Sequence, residues 1–248
     1  MKLLDSHCHL DLLDNMKKIV RESIDDNFSI ITMTTTPKAY KKNKEICQDS
    51  KNIKVAIGLH PQLISEREKE LDLLLEYIKD ARFVGEVGLD LNINYEKSIN
   101  KQIRVFTKII DACDWYGNKV VSIHSVRSVE LVLEILRSNI RNNSNKFILH
   151  WFTGNRTNLQ DAINLGCYFS INSKMQYTNR GKNIIRSLPA DKILLETDAP
   201  FIVKINSVDD IYNELDSLVE QTAIIRGTEK DELCKKIEEN SFKIIGES

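Results

Sequence analysis

The strongest constraint on the fold is a repeating pattern in which a short apolar run precedes a longer amphipathic stretch, at intervals of roughly 20 to 35 residues. Between the apolar runs, segments such as 66–81, 99–117 and 128–140 place leucine and isoleucine at three- and four-residue spacing, which indicates helices. Eight parallel strands that alternate with helices predict an α/β fold, a (β/α)8 TIM-type barrel, in preference to an open doubly wound sheet. The eight runs predicted as strands are 2–4, 29–34, 54–58, 83–87, 119–123, 146–149, 167–171 and 192–195.

The chain shows no internal boundary. No linker rich in proline, glycine or serine, no low-complexity tract and no long block of like charge interrupts its 248 residues. We therefore expect a single domain over residues 1–248. Its closing helices are predicted at about 207–246, with Ser207 and Thr228 as N-caps.

The composition is that of a globular protein, with 42% hydrophobic residues, 29% charged residues and a formal net charge of -1. Such a chain lacks the broad basic surface that duplex-coating proteins need, although a small phosphate site is compatible with it. The N-terminal segment carries acids where a secretory signal would be apolar, and no run approaches the roughly 18 apolar residues of a membrane span. We expect a cytoplasmic protein without membrane contact. The five cysteines form no CxxC pair, which predicts reduced thiols.

Polar residues with metal-binding side chains stand at the C-terminal ends of the predicted strands. In a parallel barrel these ends converge on the face where active sites are built. A lone histidine there is more often a structural group, and a lone acid is often a cap or a turn residue, but the coincidence of the whole set predicts a metal site. The set comprises all five histidines and two acids: His7, His9, His60, Glu86, His124, His150 and Asp198.

The donor types indicate which cations the site would bind. Side chains two residues apart on a strand point to one side, so His7 and His9 can share a cation. Imidazole suits zinc, manganese or iron, and carboxylates also admit magnesium. One cation would leave ligands unused. Two divalent ions (Mg, Mn or Zn) about 3.5–4 Å apart, bridged by a carboxylate, would use the ligands and could clamp both oxygens of a phosphoryl displacement.

The motifs HCH, GLHP, GEVGLD, IHS, LHWFTG and ETDAP, in this order, resemble the TatD family of metal-dependent deoxyribonucleases, within the amidohydrolase-type barrels. The resemblance extends from His7 to the closing ENSFKIIG. It implies a first metal bound by His7, His9, Glu86 and Asp198, and a second bound by Glu86, His124 and His150. Glu86 would be the bridge, and Asp198 would accept a proton from the attacking water. Glu196 would be the outer partner of Asp198, with a buried structural carboxylate as the alternative.

The segments expected to contact substrate differ from the family pattern. The resemblance implies that His60 faces the substrate phosphate, and we add Lys174, which replaces a glycine, and Arg127, which follows an extra residue after the histidine-serine pair. The segment LNINYEKS lacks the usual aromatic and basic groups, and the usual stretch after ETDAP is missing. Intact metal ligands with altered substrate contacts are similar to the TatD-like branch in bacterial Qat anti-phage defence operons. That branch implies a protein partner encoded in the same operon.

The resemblance implies a divalent-metal-dependent phosphodiester hydrolase, a DNA exonuclease acting on single-stranded ends by a two-metal mechanism with a metal-bound hydroxide. Trp151, Phe152 and Tyr177 could stack an unpaired base, with ordinary core aromatics as the alternative for Trp151 and Phe152. Two alternatives stay open. One is a metal-dependent amidohydrolase or lactonase acting on a small molecule, since barrels host many chemistries. The other is a defence-complex subunit whose barrel mainly binds a protein partner.

Overall fold

The computed structural model of the protein describes residues 3–23 and 28–246. All eight predicted strands are present, although Lys2, where the first predicted run begins, lies outside the described residues. The fourth and fifth strands extend beyond their predicted ends, to Asp90 and Val126. The strands are β1 Leu3–Cys8, β2 Phe28–Met33, β3 Ile53–Ala56, β4 Phe83–Asp90, β5 Val120–Val126, β6 Lys146–His150, β7 Tyr168–Ile171 and β8 Ile193–Leu195.

The strands belong to one sheet in the order β3-β2-β1-β8-β7-β6-β5-β4. The registered pairs β1–β2, β1–β8, β4–β5, β5–β6 and β7–β8 are all parallel. Helical segments separate successive strands along the chain. This is the (β/α)8 TIM-barrel topology, and the predicted fold class is confirmed.

The helices follow the amphipathic segments of the sequence. The predicted helix 99–117 is present as α5 and 128–140 as α6, whereas 66–81 is divided between α3 and α4 by a 3-10 turn at Glu68–Glu70. No helix in the described ranges is both long and apolar enough to cross a membrane. The helices are α1 Met16–Glu22, α2 Pro37–Cys47, α3 Ile64–Arg67, α4 Leu71–Ile78, α5 Ile99–Tyr116, α6 Val129–Asn139, α7 Arg156–Asn164, α8 Ser173–Tyr177, α9 Asn179–Ser187, α10 Val208–Arg226 and α11 Lys230–Ile245.

The two closing helices are capped differently from each other. Ser207 caps α10 as predicted: its hydroxyl accepts from the Asp210 N–H at 3.3 Å, and the Asp210 carboxylate accepts from the Ser207 N–H at 3.1 Å. The prediction of Thr228 as the cap of α11 is wrong by one residue. The backbone N–H of Thr228 still donates to Ala223 at the end of α10, so Glu229 is the first residue free to begin α11.

The chain divides into two compact units. The first contains residues 1–32, 43–54 and 169–248, and the second contains 33–42 and 55–168. Each unit has an apolar core of strand and helix residues, because strands with helices on their faces are buried along their whole length. The single domain over 1–248 stays a prediction. Fully buried examples are Leu3, Leu195 and Leu215 in the first unit and Val84, Phe106 and Ile148 in the second.

The five cysteines are buried free thiols, as predicted. Burial raises the pKa of the Cys113 thiol to about 12, and it raises the pKa of the Cys8 thiol well above its usual value. Because the thiolate is the reactive form, these groups act as small apolar core residues. Cys8 therefore contributes to packing although it lies between two histidines.

The cap of α10 gives a first testable prediction. Replacing Ser207 by alanine removes the acceptor for the Asp210 N–H, so the free energy of unfolding in urea should fall by about 1 kcal/mol. Ser207→Thr retains a hydroxyl cap and should stay close to the natural protein. Equal stability of the alanine and threonine variants would contradict the assigned cap.

Candidate metal centre

Two histidines and an aspartate meet where β1 and β8 end. The Nε2 atoms of His7 and His9 lie 3.3 Å apart, and Asp198 Oδ1 lies 3.9 Å from the first and 3.8 Å from the second. All three residues are buried, and their ligand atoms lie within 4.8 Å of one another. The Asp198 N–H donates to the His7 carbonyl oxygen at 2.9 Å, which brings the carboxylate beside the two rings. We call these three residues the His7 cluster.

Asp5, in β1, is hydrogen-bonded to the segment that follows β8, close in sequence to the residues of the His7 cluster. Its carboxylate accepts from the Thr197 hydroxyl at 2.6 Å, the Thr197 N–H at 3.0 Å and the His7 N–H at 3.3 Å. Burial raises the pKa of the Asp5 carboxyl to about 7, although the hydrogen bonds from Thr197 lower it. Sequence reasoning missed this residue. The available signal was an acid directly after the apolar run Leu3–Leu4, two residues before the HCH motif.

Four predicted residues meet at a second point, on one carboxylate oxygen. Glu86 Oε1 lies 2.7 Å from His124 Nδ1, 3.0 Å from His150 Nε2 and 3.2 Å from His60 Nε2. Glu86 lies within β4, His124 and His150 near the C-terminal ends of β5 and β6, and His60 after β3, and Glu86 is only 2% exposed. We call these residues the Glu86 cluster.

The charges of the Glu86 cluster follow from its contacts. Burial alone would raise the pKa of the Glu86 carboxyl, but the nearby His60 and His150 rings and the hydrogen bond to His124 hold it well below its usual value. For His124 the effects have the opposite signs. Burial alone would lower the pKa of the ring, but hydrogen bonds to Asp90 and Glu86 outweigh burial and raise this pKa. Glu86 is therefore an ionised carboxylate surrounded by imidazole nitrogens.

Asp90 is a second site residue that sequence reasoning missed. Its Oδ2 lies 3.1 Å from His124 Nε2 and accepts from Gln62 Nε2 at 2.7 Å, and its Oδ1 accepts from the Asn92 N–H at 2.8 Å. The signal was its position four residues after Glu86 in the same strand. Strand residues at even spacing face one side.

The backbone fixes the proton position in His60. The Gln62 N–H donates to His60 Nδ1 at 3.3 Å, so the neutral ring carries its proton on Nε2, the nitrogen that faces Glu86. A protonated nitrogen cannot bind a cation. His60 is therefore a hydrogen-bond donor within the Glu86 cluster.

The donor atoms fit divalent cations. Each cluster combines imidazole nitrogens with an anionic carboxylate in a buried site, the combination that binds zinc, manganese or iron. The ligands bind in their deprotonated forms. The low pKa of Glu86 meets that condition, whereas the raised pKa of His124 means that a cation would compete with a proton there. The assignment of Glu86 as a bridge between two metals stays a prediction.

Glu196 is held by the end of β7. Its carboxylate accepts from the Ser170 hydroxyl and from Asn172 Nδ2, the latter at 2.7 Å, and it is fully buried. These contacts agree with the alternative of a buried structural carboxylate.

The residues predicted to contact substrate or to stack a base differ in how exposed their side chains are. Lys174 is exposed, with its Nζ 3.5 Å from the Phe201 carbonyl oxygen, and Arg127 is exposed in the turn after β5 with a φ of 55°. Phe152 is fully buried, which favours its alternative as a core aromatic, whereas Tyr177 is 83% exposed.

Phe201 is an aromatic that sequence reasoning missed. Its ring contacts the His9 ring edge to face, with centroids 5.2 Å apart, and the residue is 57% exposed. It stands three residues after Asp198, in the turn where the Phe201 N–H donates to the Asp198 carbonyl oxygen. An exposed aromatic is thus fixed beside a residue of the His7 cluster.

Comparisons with known proteins identify the family of the chain. An uncharacterized metal-dependent hydrolase of Buchnera aphidicola is 28% identical over 215 residues, which cover 82% of this chain and 79% of the relative. A 3'-5' ssDNA/RNA exonuclease TatD of Erwinia amylovora is 28% identical over 201 residues, 76% of each chain. The crystal structure of YjjV, a TatD homologue from Escherichia coli, matches with a TM-score of 0.84 at 19% identity, over 98% of this chain and 97% of that chain. A family model described as TatD related DNase matches residues 4–246, and the chain therefore belongs to this family of metal-dependent hydrolases.

Proposed function

We propose that the protein is a divalent-metal-dependent exonuclease that hydrolyses phosphodiester bonds at the ends of single-stranded DNA. The observation that carries the proposal is the convergence of three histidine nitrogens on Glu86 Oε1, in a member of a family described as DNases. The Erwinia amylovora relative, named a 3'-5' ssDNA/RNA exonuclease, supports the substrate class and suggests attack from the 3' end.

The proposed roles follow from the chemistry of each side chain. Bound divalent ions would polarise the phosphate and lower the pKa of water. The His7 cluster would hold one ion, and Glu86, His124 and His150 would hold a second. Asp198 would accept the proton of the attacking water. His60, with its proton on Nε2, would donate to a phosphate oxygen.

The proposed substrate contact is an unpaired base on Phe201. An exposed ring beside His9 would place a stacked base next to the His7 cluster, and Lys174, which approaches the Phe201 carbonyl oxygen, would pair with a phosphate. Stacking needs an unpaired base and tolerates any sequence. A near-neutral chain suits this mode, because a pocket for one strand end needs few cations.

The exonuclease assay is the direct test. The chelator-treated protein is incubated with end-labelled single-stranded DNA, single-stranded RNA or duplex DNA, each with magnesium, manganese or zinc. We expect metal-dependent shortening of single-stranded DNA. Glu86→Gln and His124→Ala should each lower the rate about 100-fold or more, because metal stabilisation of transition-state charge is worth several kcal/mol.

The control for this assay is Glu239→Gln, which changes the same residue type in an exposed surface ion pair with Lys236. It should cleave at the natural rate. Intact DNA and RNA in all metals, with hydrolysis of lactones or small amides, would replace the proposal by the amidohydrolase alternative. If no substrate is cleaved, capture of an operon-encoded protein becomes the test of the partner-binding alternative. The Qat-type branch and the cytoplasmic location stay predictions.

Metal stoichiometry tests the two clusters separately. We expect two zinc or manganese ions per chain by elemental analysis after desalting. His9→Ala should remove the ion of the His7 cluster and His150→Ala that of the Glu86 cluster, so each variant should retain one ion. A natural protein that retains a single ion under all conditions would contradict the two-ion arrangement.

The stacking contact predicts a change in substrate binding. Phe201→Ala should raise KM for single-stranded DNA about 5- to 150-fold, the range expected from the loss of one base–aromatic contact. Phe201→Trp should keep KM low, whereas Phe201→Leu, which retains apolar bulk without a π-face, should behave like alanine. An unchanged KM in Phe201→Ala would remove Phe201 from the substrate site.

A further inference from the structure

His124 lies between two carboxylates. Its Nδ1 lies 2.7 Å from Glu86 Oε1 and its Nε2 lies 3.1 Å from Asp90 Oδ2. Both oxygens of Asp90 accept from N–H groups, Oδ1 from the Asn92 backbone and Oδ2 from Gln62 Nε2, as an ionised carboxylate does. An ionised carboxylate only accepts hydrogen bonds. Nε2 therefore donates to Asp90, and Nδ1, which faces the ionised Glu86 oxygen, donates to Glu86. A cation that binds Nδ1 would displace only the Nδ1 proton, because Asp90 holds the other proton on Nε2.

Asp90 is held rigidly enough to impose this arrangement. Its Oδ1 accepts from the Asn92 N–H at 2.8 Å, its Oδ2 accepts from Gln62 Nε2 at 2.7 Å, and its own N–H donates to Gln102 Oε1 at 2.8 Å. Gln102 in turn donates to Ser98 Oγ at 2.9 Å. Asp90 is 1% exposed as a residue, and its position is determined by these partners together with His124.

We propose that Asp90 is a positioning residue, which keeps the proton of His124 on Nε2 and thereby leaves Nδ1 available to bind a cation in the Glu86 cluster. Pairing a metal-binding histidine with an anion through its other nitrogen fixes the tautomer and orientation of the ring. The inference rests on the proposed function, because it takes His124 as a metal ligand. It adds a residue for which neither the motif nor the family assignment supplied a role.

The hydrogen-bond directions around Asp90 make the effect of one substitution predictable. In Asp90→Asn, the backbone N–H of Asn92 requires the amide oxygen to occupy the Oδ1 position. The amide NH2 group then faces His124 Nε2, which has to accept. The proton of a neutral ring moves to Nδ1, and this nitrogen can no longer bind a cation. Asp90→Asn thus removes a ligand without changing the volume of the side chain.

The test measures binding of zinc alone to the chelator-treated full chain by calorimetry. Asp90→Asn should bind one of the two ions about 10- to 100-fold more weakly, the range found when partners of metal ligands are changed. Gln62→Leu loses a hydrogen bond to the same oxygen but leaves the tautomer unchanged, so its affinity should stay within about threefold of the natural value.

A second variant separates positioning from packing. Asp90→Ala removes more volume than Asp90→Asn but supplies no donor to His124, so the ring can still take the tautomer that binds. The positioning role predicts that alanine binds zinc more tightly than asparagine, whereas a packing role predicts the reverse order. Nitrogen-15 NMR of the metal-free proteins adds a direct reading: Nε2 of His124 should be protonated in the natural protein and unprotonated in Asp90→Asn.

The outcomes distinguish the two levels of the argument. If His124→Ala binds two zinc ions as tightly as the natural protein, the proposed ligand set fails. If His124→Ala loses one ion while Asp90→Asn keeps natural affinity, or keeps a proton on Nε2, the positioning role of Asp90 is overturned and the ligand set stands. Should Asp90→Asn fail to fold, nitrogen-15 NMR of Asp90→Ala decides: a proton that leaves Nε2 of His124 supports the role, and a proton that stays on Nε2 overturns it.

Discussion

The structure depends on keeping ionised carboxylates inside an apolar core. A buried charge is costly unless hydrogen bonds or an opposite charge compensate it. Glu86 and Asp90 meet that condition through histidine rings. Two further buried acids are hydrogen-bonded as well, Glu196 to Ser170 and Asn172 and Asp5 to Thr197. Strand ends supply these partners because successive parallel strands finish beside one another. The same arrangement that compensates the charges of Glu86 and Asp90 also collects imidazole nitrogens around them, which makes the Glu86 cluster a candidate metal site.

Much of the architecture could be predicted from the sequence, because strands that are buried on both faces consist of consecutive apolar residues. The eight predicted strands illustrate this. The long helix α5 was predictable from a different local signal, the three- and four-residue spacing of its apolar side chains. The break in segment 66–81 and the start of α11 could not be predicted in the same way. The start of α11, for example, follows a contact with the preceding helix, because the Thr228 N–H donates to Ala223 at the end of α10.

The candidate site was predictable for a different reason, namely that histidine is rare in this chain and each one follows an apolar run. Asp5 and Asp90 escaped notice because aspartate is common, and because their roles exist only through partners distant in sequence. Thr197 is 192 positions from Asp5, and His124 is 34 positions from Asp90. The exposure of Phe201 likewise depends on the turn that begins at Asp198, a residue whose backbone φ is 46°. Such positions are decided by tertiary structure, which residue patterns do not encode locally.

The pairing of β1 with β8 has a consequence for how the protein is made. His7 and His9 are synthesised well before their partner Asp198, which follows them after most of the other strands and helices have been made. Contacts between such distant segments form late in folding, because bringing together the two ends of a long chain segment has a high entropic cost. The His7 cluster therefore cannot assemble on a nascent chain that lacks β8 and the turn after it. In an enzyme proposed to degrade nucleic acid, this order of strands delays assembly of the His7 cluster. Partial chains released from the ribosome before Asp198 is made would therefore be inactive.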